Sequence, residues 1–275
     1  MTTRRDYNAE ALRATRTVLI ELMQLLGEFR DHVVVVGGSV PGLLLSDSPE
    51  PHIGTLDIDL AFDFRNIPDA SYQTLLQALM SRGYRQGGQP FQFFREVPFS
   101  DRDPITVEVD LLAGEYGGTG RSHRTQVVQD ARARKTRACD LVFENNNVIK
   151  IEGDLPGGGH LTVQCRVAAI APFLVMKGMA LADRLKEKDA YDIYYCVHRY
   201  PGGLAALADA FRPHIENRLV REGLAKIREK FLSPEHAGPR WVADFLEIID
   251  LEERAIQQRA AYEQITALLQ KLGCE

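Results

Sequence analysis

Two aspartates, Asp57 and Asp59, stand two residues apart in Thr55-Leu56-Asp57-Ile58-Asp59-Leu60, interleaved with apolar side chains. This alternation marks a half-buried strand, on which side chains two apart leave from the same face. Both carboxylates then point one way while Leu56, Ile58 and Leu60 pack behind them. Carboxylates with a common aim bind a hard divalent cation. Upstream, the apolar run Val33-Val34-Val35-Val36 ends in Gly37-Gly38-Ser39. Glycines after a buried strand let backbone amides, and here the Ser39 hydroxyl, approach a phosphate closely. The two segments together read as a cradle for a divalent metal and a triphosphate.

A third carboxylate comes from Ile105-Thr106-Val107-Glu108-Val109-Asp110-Leu111-Leu112, where alternation puts Thr106, Glu108 and Asp110 on one face and the aliphatics on the other. Asp57, Asp59 and Asp110 are thus the candidate metal ligands, with Gly37, Gly38 and Ser39 on the phosphate side. In a two-metal site, one ion grips the triphosphate while a second, about 3.5–4 Å away, activates the attacking oxygen. Magnesium suits such a set, because it takes a few carboxylates and completes its sphere with substrate phosphates; manganese is the alternative ion. Asp110 is also the candidate base for an acceptor hydroxyl. Asp63 shares the strand parity of Asp57 and Asp59 but falls at the strand end, and Asp101 and Asp103, close to Pro104, read as turn residues.

Lys177 is the only charged residue in Ile170–Ala182. A buried ammonium needs compensation, so its stem reaches water or its head meets a carboxylate or a phosphate. We favour the β- or γ-phosphate of a triphosphate, as a point charge. In the following Arg184–Tyr195 segment, Lys188 and Asp192 are four apart and share a helix face. Asp192 serves there either in a surface ion pair or in orienting Lys177 or the nucleotide. Tyr191, Tyr194 and Tyr195 read as core or interface aromatics, with stacking on a base as the lesser alternative.

The elements that position these residues have legible periods. Leu12 to Leu26 is helical in period and stops at Gly27; the Val33 strand follows, then a short helix opening at Ser39 and interrupted or bent near Pro41-Gly42, a loop from Ser46 to Gly54, and the aspartate strand. A helix is expected from about Asp69 to Arg82, strands at Phe91–Val97 and Ile105–Leu112, and strand-like runs at Asp140–Glu144 and His160–Arg166 around a turn at Asp154–Gly159. From Ile170 the pattern is helical, with candidates at Ala171–Leu185, Lys188–Arg199, Leu204–Phe211, Ile215–Phe231 and Pro239–Leu272. The change near residue 168 sets the expected division: an α/β domain over residues 1–168 and a helical domain over residues 169–275 that completes the site with Lys177 and Asp192.

With 275 residues and 45% hydrophobic composition, the chain can bury a substantial core. It has no apolar run of the roughly 20 residues a membrane-spanning helix needs, and no secretory apolar core follows the N-terminus, which implies a cytoplasmic protein without a membrane partner. Cys139, Cys165, Cys196 and Cys274 are scattered without metal-ligand spacing and read as inert thiols. A net charge of −5 argues against coating nucleic acid. A local basic segment exists all the same: Arg121, His123, Arg124, Arg132, Arg134, Lys135 and Arg137 form either a solvated loop and helix face or a contact for a phosphate-bearing acceptor.

The ordered set Val33–Ser39, Thr55–Leu60, Val107–Leu112, Lys177 and Arg184–Tyr195 resembles nucleotidyltransferase-fold proteins of the AbiEii/AbiGii toxin type, within the polymerase-β-like superfamily. The resemblance spans about residues 30 to 200. Gly-Gly-Ser with Asp-x-Asp is common to the superfamily, whereas Lys-Asp-x-x-Asp-Ile-Tyr after a lysine-bearing helix is more particular to the toxin branch. The stretch between Ser39 and Asp57 is longer here than in the pattern. The resemblance implies an α+β fold with a mixed sheet flanked by helices and a helical C-terminal half, and it implies magnesium, a nucleoside triphosphate such as ATP, and catalytic participation of Ser39, Asp57, Asp59, Lys177 and Asp192. It further implies a toxin of a toxin–antitoxin or phage-defence pair, with a cognate antitoxin, that adds nucleotides to an RNA such as tRNA or modifies a protein.

Three functions compete at this stage. One is NMP transfer to RNA or protein. Another is transfer to a small molecule of the aminoglycoside kind, favoured by the acidic balance. The third is an idle NTP-binding or antitoxin-binding module, against which the complete carboxylate set speaks.

Overall fold

The computed structural model describes residues 7–63, 65–66, 76–99, 102–115, 125–128 and 131–274. The chain divides into two compact units. A sheet unit comprises Asp6–Val40 and Gly54–Ala169, and a helical unit comprises Pro41–Ile53 and Ile170–Glu275. The architecture is α+β: a mixed sheet flanked by helices, followed by a helical C-terminal half. Among the described residues, no helix is long and apolar enough to cross a membrane.

The sheet unit contains helix α1 (Ala9–Leu26), strands β1 (Val33–Val36), β2 (Asp57–Phe62), β3 (Arg85–Gln86), β4 (Gln92–Phe99), β5 (Arg102–Ala113), β6 (Thr125–Val128), β7 (Ala131–Lys135), β8 (Asn146–Asp154) and β9 (His160–Ala168), and the short helices α3 (residues 76–81) and α4 (Leu141–Glu144). Helix α2 (Ser39–Leu44) leads out of it. The strands run in the order β3-β4-β5-β2-β1-β9-β8, with β7 pairing to the end of β5 and to β6. All four valines of β1 are buried, as expected of a strand covered on both faces. It runs antiparallel to β2 and parallel to β9, while β2 runs parallel to β5.

Helix α1 starts at Asn8, whose side chain accepts from the Ala11 amide at 2.9 Å, and stops at Gly27, whose φ of +51° a side chain would strain. Its buried face, which includes Val18, Leu19, Leu22 and Met23, packs on the sheet, each such side chain contributing about 1.5–3 kcal/mol. The same face carries a carboxylate. Glu21 takes Arg95 Nε at 2.9 Å, Arg95 Nη2 at 3.1 Å and the Tyr84 hydroxyl at 2.8 Å, a set that satisfies the buried charge and ties α1 to the β3–β4 edge.

The helical unit contains α5 (Ile170–Arg184), α6 (Glu187–Arg199), α7 (Gly203–Phe211), α8 (Arg218–Lys230), α9 (Ala237–Phe245) and α10 (Leu251–Lys271). Helices α5 and α8 approach closely through Gly178 and Gly223, where an added methyl would collide with the opposing backbone.

Several elements differ from the sequence reading. Helix α2 continues through Pro41-Gly42 without interruption, because a proline in the first turn removes only an amide that has no partner inside the helix. Residues 141–144 are helical where a strand was expected. The whole of β8 escaped notice because it is largely exposed and opens on Asn146-Asn147. Expected helix Pro239–Leu272 is two helices, separated at Glu247, whose φ is +56°, and restarted by Asp250, which caps the amides of Glu252 and Glu253 at 3.0 and 2.9 Å. Asp103 lies inside β5 rather than in a turn, while Asp101 and Arg121 to Arg124 fall outside the described residues. Of the expected Asp69–Arg82 helix, residues 76–81 are described and helical.

Candidate active site

The parallel pairing of β2 with β5 decides the geometry. Asp57 is in register with Glu108, and Asp59 with Asp110. Side chains in register on neighbouring strands leave from the same face about 5 Å apart. Four acids therefore share one face of two adjacent strands, while Ile58, Leu60, Val107, Val109 and Leu111 are buried among the core side chains. Like charges side by side repel, so the arrangement needs hydrogen bonds and cations to hold it.

Each carboxylate has a described partner or neighbour. Thr55 Oγ1, itself buried, donates to Asp57 Oδ1. Gln92 Nε2, from β4, donates to Glu108 Oε1 at 2.6 Å. Arg134 Nη2, from β7, lies 3.6 Å from Asp110 Oδ2. Asp59 packs against Gly37, so tightly that any side chain at position 37 would overlap its carboxylate. Gly37 has a φ of +66°, and its carbonyl accepts from the Val40 amide at 3.2 Å, closing the turn that sets Gly38 and Ser39. Strand β1 aligns Val36 with Asp59, which brings the turn to the carboxylate.

Asp63 lies just past β2 and accepts from Arg65 Nε at 3.2 Å and Asn66 Nδ2 at 2.6 Å, as a residue that closes a turn. Asp140, from the start of α4, accepts from the Glu115 amide at 3.0 Å, and burial raises its carboxyl above the ordinary range. Burial likewise pushes the Cys139 thiol up, with Asp140 and Asp59 adding to the effect, and holds Cys165 at about 11, so both are inert.

Asp59 and Asp110, in register on neighbouring strands, are the two carboxylates that could hold a divalent ion in part. Among the described residues, no group of three or more His, Cys, Asp or Glu side chains is placed to hold one. Two neighbouring carboxylates beside a glycine turn suit an ion whose remaining ligands are phosphate oxygens and water.

Lys177 and Asp192 belong to the helical unit, where Lys177 Nζ meets Asp189 Oδ1 and Asp192 Oδ2, each at 2.7 Å. Of the partners open to it in the sequence, the lysine has met carboxylates. Asp189 also takes Arg184 Nε at 2.7 Å, and Asp192 takes Lys188 Nζ at 2.9 Å and His52 Nε2 at 2.9 Å. Burial disfavours the Lys177 charge, yet Asp189 and Asp192 outweigh it and hold the ammonium firmly protonated. Burial would raise Asp192, but Lys177, Lys188 and the His52 bond hold it well below the carboxylate range, and Asp189 is lowered by Lys177 and Arg184 in the same way. Burial lowers His52, against the pull of Asp192.

His52 also stacks on Tyr191, with ring centroids 5.4 Å apart, and meets Tyr195 edge-on at 4.8 Å. Tyr195 donates to the Glu50 carbonyl at 2.8 Å. These contacts fasten the Pro41–Ile53 segment to α6. Sequence reasoning put Glu108 on the face of Asp110 and Asp189 in the Lys-Asp-x-x-Asp motif without giving either a role, and it missed Gln92 and His52. His52 left no local signal.

No protein-family model matches the chain. No curated protein matches it. Among solved structures it is similar to an antigenic nucleotidyltransferase-like protein from Paracoccidioides brasiliensis, with 18% sequence identity and a TM-score of 0.46 over 81% of this chain and 89% of that one.

Proposed function

We propose that the chain is a metal-dependent nucleotidyltransferase that moves NMP from a nucleoside triphosphate to an RNA or protein acceptor. The observation that carries this reading is the register pair Asp59–Asp110 with Asp59 seated against the Gly37 turn. It sets two carboxylates beside backbone able to approach phosphate, as nucleotidyl transfer requires.

In this reading Asp59 and Asp110 would hold the ion, magnesium or manganese, with Asp57 beside them on the same face. That ion, when bound, neutralises the triphosphate and stabilises charge at the reacting phosphorus. Gly37, Gly38 and Ser39 receive phosphate oxygens, and the Thr55 hydroxyl fixes the Asp57 rotamer. Asp110 takes the proton of the attacking hydroxyl as the bond to the α-phosphorus forms and the bond to pyrophosphate breaks. Lys177 is held by two carboxylates, so it acts first through the order of its own helix pair. The toxin-type motif Lys188-Asp189-x-x-Asp192-Ile193-Tyr194 supports placement in a toxin–antitoxin or phage-defence pair, with a cognate antitoxin as partner.

Incubation with magnesium, each α-labelled NTP and total cellular RNA or protein tests the proposal. Label is expected on a macromolecule with wild-type protein and absent with Asp59→Asn. Label on no acceptor with any NTP contradicts it.

A further inference from the structure

The acidic face poses an electrostatic problem for any polyanionic acceptor. Asp57, Asp59, Glu108 and Asp110 line two adjacent strands, and a phosphodiester brought to them is repelled unless a cation receives it. A cation stands at the rim. Register pairing of Leu112 with Arg134 places Arg134 on the face that carries Asp110, and its Nη2 lies 3.6 Å from Asp110 Oδ2. That separation is long for an ion pair, and the arginine side chain is 40% exposed against 13% for the aspartate. The guanidinium lies over the Phe91 ring, 5.5 Å from its centroid. Phe91 is in turn fixed to β5, its carbonyl accepting from the Leu111 amide at 2.9 Å. Arg132, two residues earlier on the same face of β7, is exposed, while Ala133 on the other face is buried.

An arginine stacked on an aromatic ring is preorganised: the ring holds its plane, and the edge donors stay available for a planar anion. Next to such a pair, an unpaired base can stack while its phosphate meets the guanidinium. We propose that Arg134 and Phe91 form the acceptor-binding clasp of this site, taking the phosphodiester backbone and an adjoining base of a single-stranded RNA end. Without acceptor, the Arg134 guanidinium lies beside Asp110; acceptor phosphate draws it off. This rests on the nucleotidyltransferase reading and narrows its acceptor to nucleic acid.

The test is binding of a fluorescein-labelled, unstructured 12-nucleotide RNA by the full chain without NTP, over a salt series, alongside binding of magnesium–NTP. Arg134→Ala should weaken RNA binding about tenfold or more and make the log–log salt slope shallower by about 0.7, one phosphate contact on a single strand. Phe91→Ala should weaken RNA binding with the slope unchanged, and Arg134→Lys should restore the slope but not the full affinity. NTP affinity should not fall in any of the three, and melting temperatures serve as the check on folding. Equal RNA affinity in wild type and Arg134→Ala overturns the clasp, as does an equal loss of NTP affinity, which would assign Arg134 to the donor nucleotide. Label transfer to protein alone, with no RNA bound, also overturns it. Failure of the wild-type chain to bind NTP would instead strike the nucleotidyltransferase reading, and the NTP arm reads that separately.

Discussion

Asp59 and Asp110 stand in register on the adjacent parallel strands β2 and β5, and the Asp59 carboxylate fills the space that a side chain at Gly37 would need. The acid pair and the Gly37 turn are therefore packed directly against each other.

Neutralising either member of the pair should separate chemistry from folding. Asp59→Asn and Asp110→Asn relieve like-charge repulsion, so melting temperature should hold or rise slightly, while transfer falls by on the order of 10²–10⁴-fold. Rates under saturating metal and NTP, measured with thermal melts on the same samples, check this. A large fall in melting temperature would mean that the carboxylates hold the sheet together instead.

Gly37→Ala should damage both. The substitution strains a φ of +66° and drives a methyl into Asp59, costing about 1–3 kcal/mol of stability and displacing a metal ligand. Denaturant unfolding and NTP titration of the variant are the measurements. By contrast, Gly42→Ala meets no neighbouring atom and should leave both unchanged.

Lys177→Ala leaves Asp189 and Asp192 without their shared buried cation, and stability should fall by about 3–5 kcal/mol. Urea unfolding reads this directly. A variant that kept its stability but lost NTP binding would move Lys177 from the order of the helices to the nucleotide.

Much of the sheet unit was legible in the sequence because β2 and β5 are half-buried strands, and half-burial writes itself as alternation. The buried run of β1 and the period of α1 were plain for the same reason. Elements without a buried face of their own were not. Strand β8 is an exposed edge with a polar start, and the Ala-Arg-Ala-Arg-Lys composition of β7 suits a helix or loop as well as a strand, so its pairing with β5 came only from tertiary context. Side-chain partnerships across long stretches were also hidden. Nothing near His52 announces Asp192, which lies 140 residues on. Lys177 did announce a need for a partner, though not which one.

The His52–Asp192–Lys177 cluster predicts a two-stage acid profile for stability. His52 has a lowered pKa in the folded protein, so below about pH 6.5 the unfolded chain binds its proton first, and stability falls as pH drops from there toward the folded value. Asp189 and Asp192 are also lowered. Their contribution is whole above about pH 3.9 and is lost as pH falls further, through their folded values. Denaturant unfolding at a series of pH values should show both declines. His52→Gln, which retains a donor but does not titrate, should flatten the first and leave the second.

A divalent ion shared by Asp59 and Asp110 beside the Gly37 turn is the central expectation, and paramagnetic resonance of manganese tests it most directly. Manganese should bind the wild-type chain tightly only when NTP is present, and the bound signal should vanish in Asp59→Asn and in Asp110→Asn while the folded state persists. Manganese–NTP binding that survives both substitutions unchanged would contradict the account.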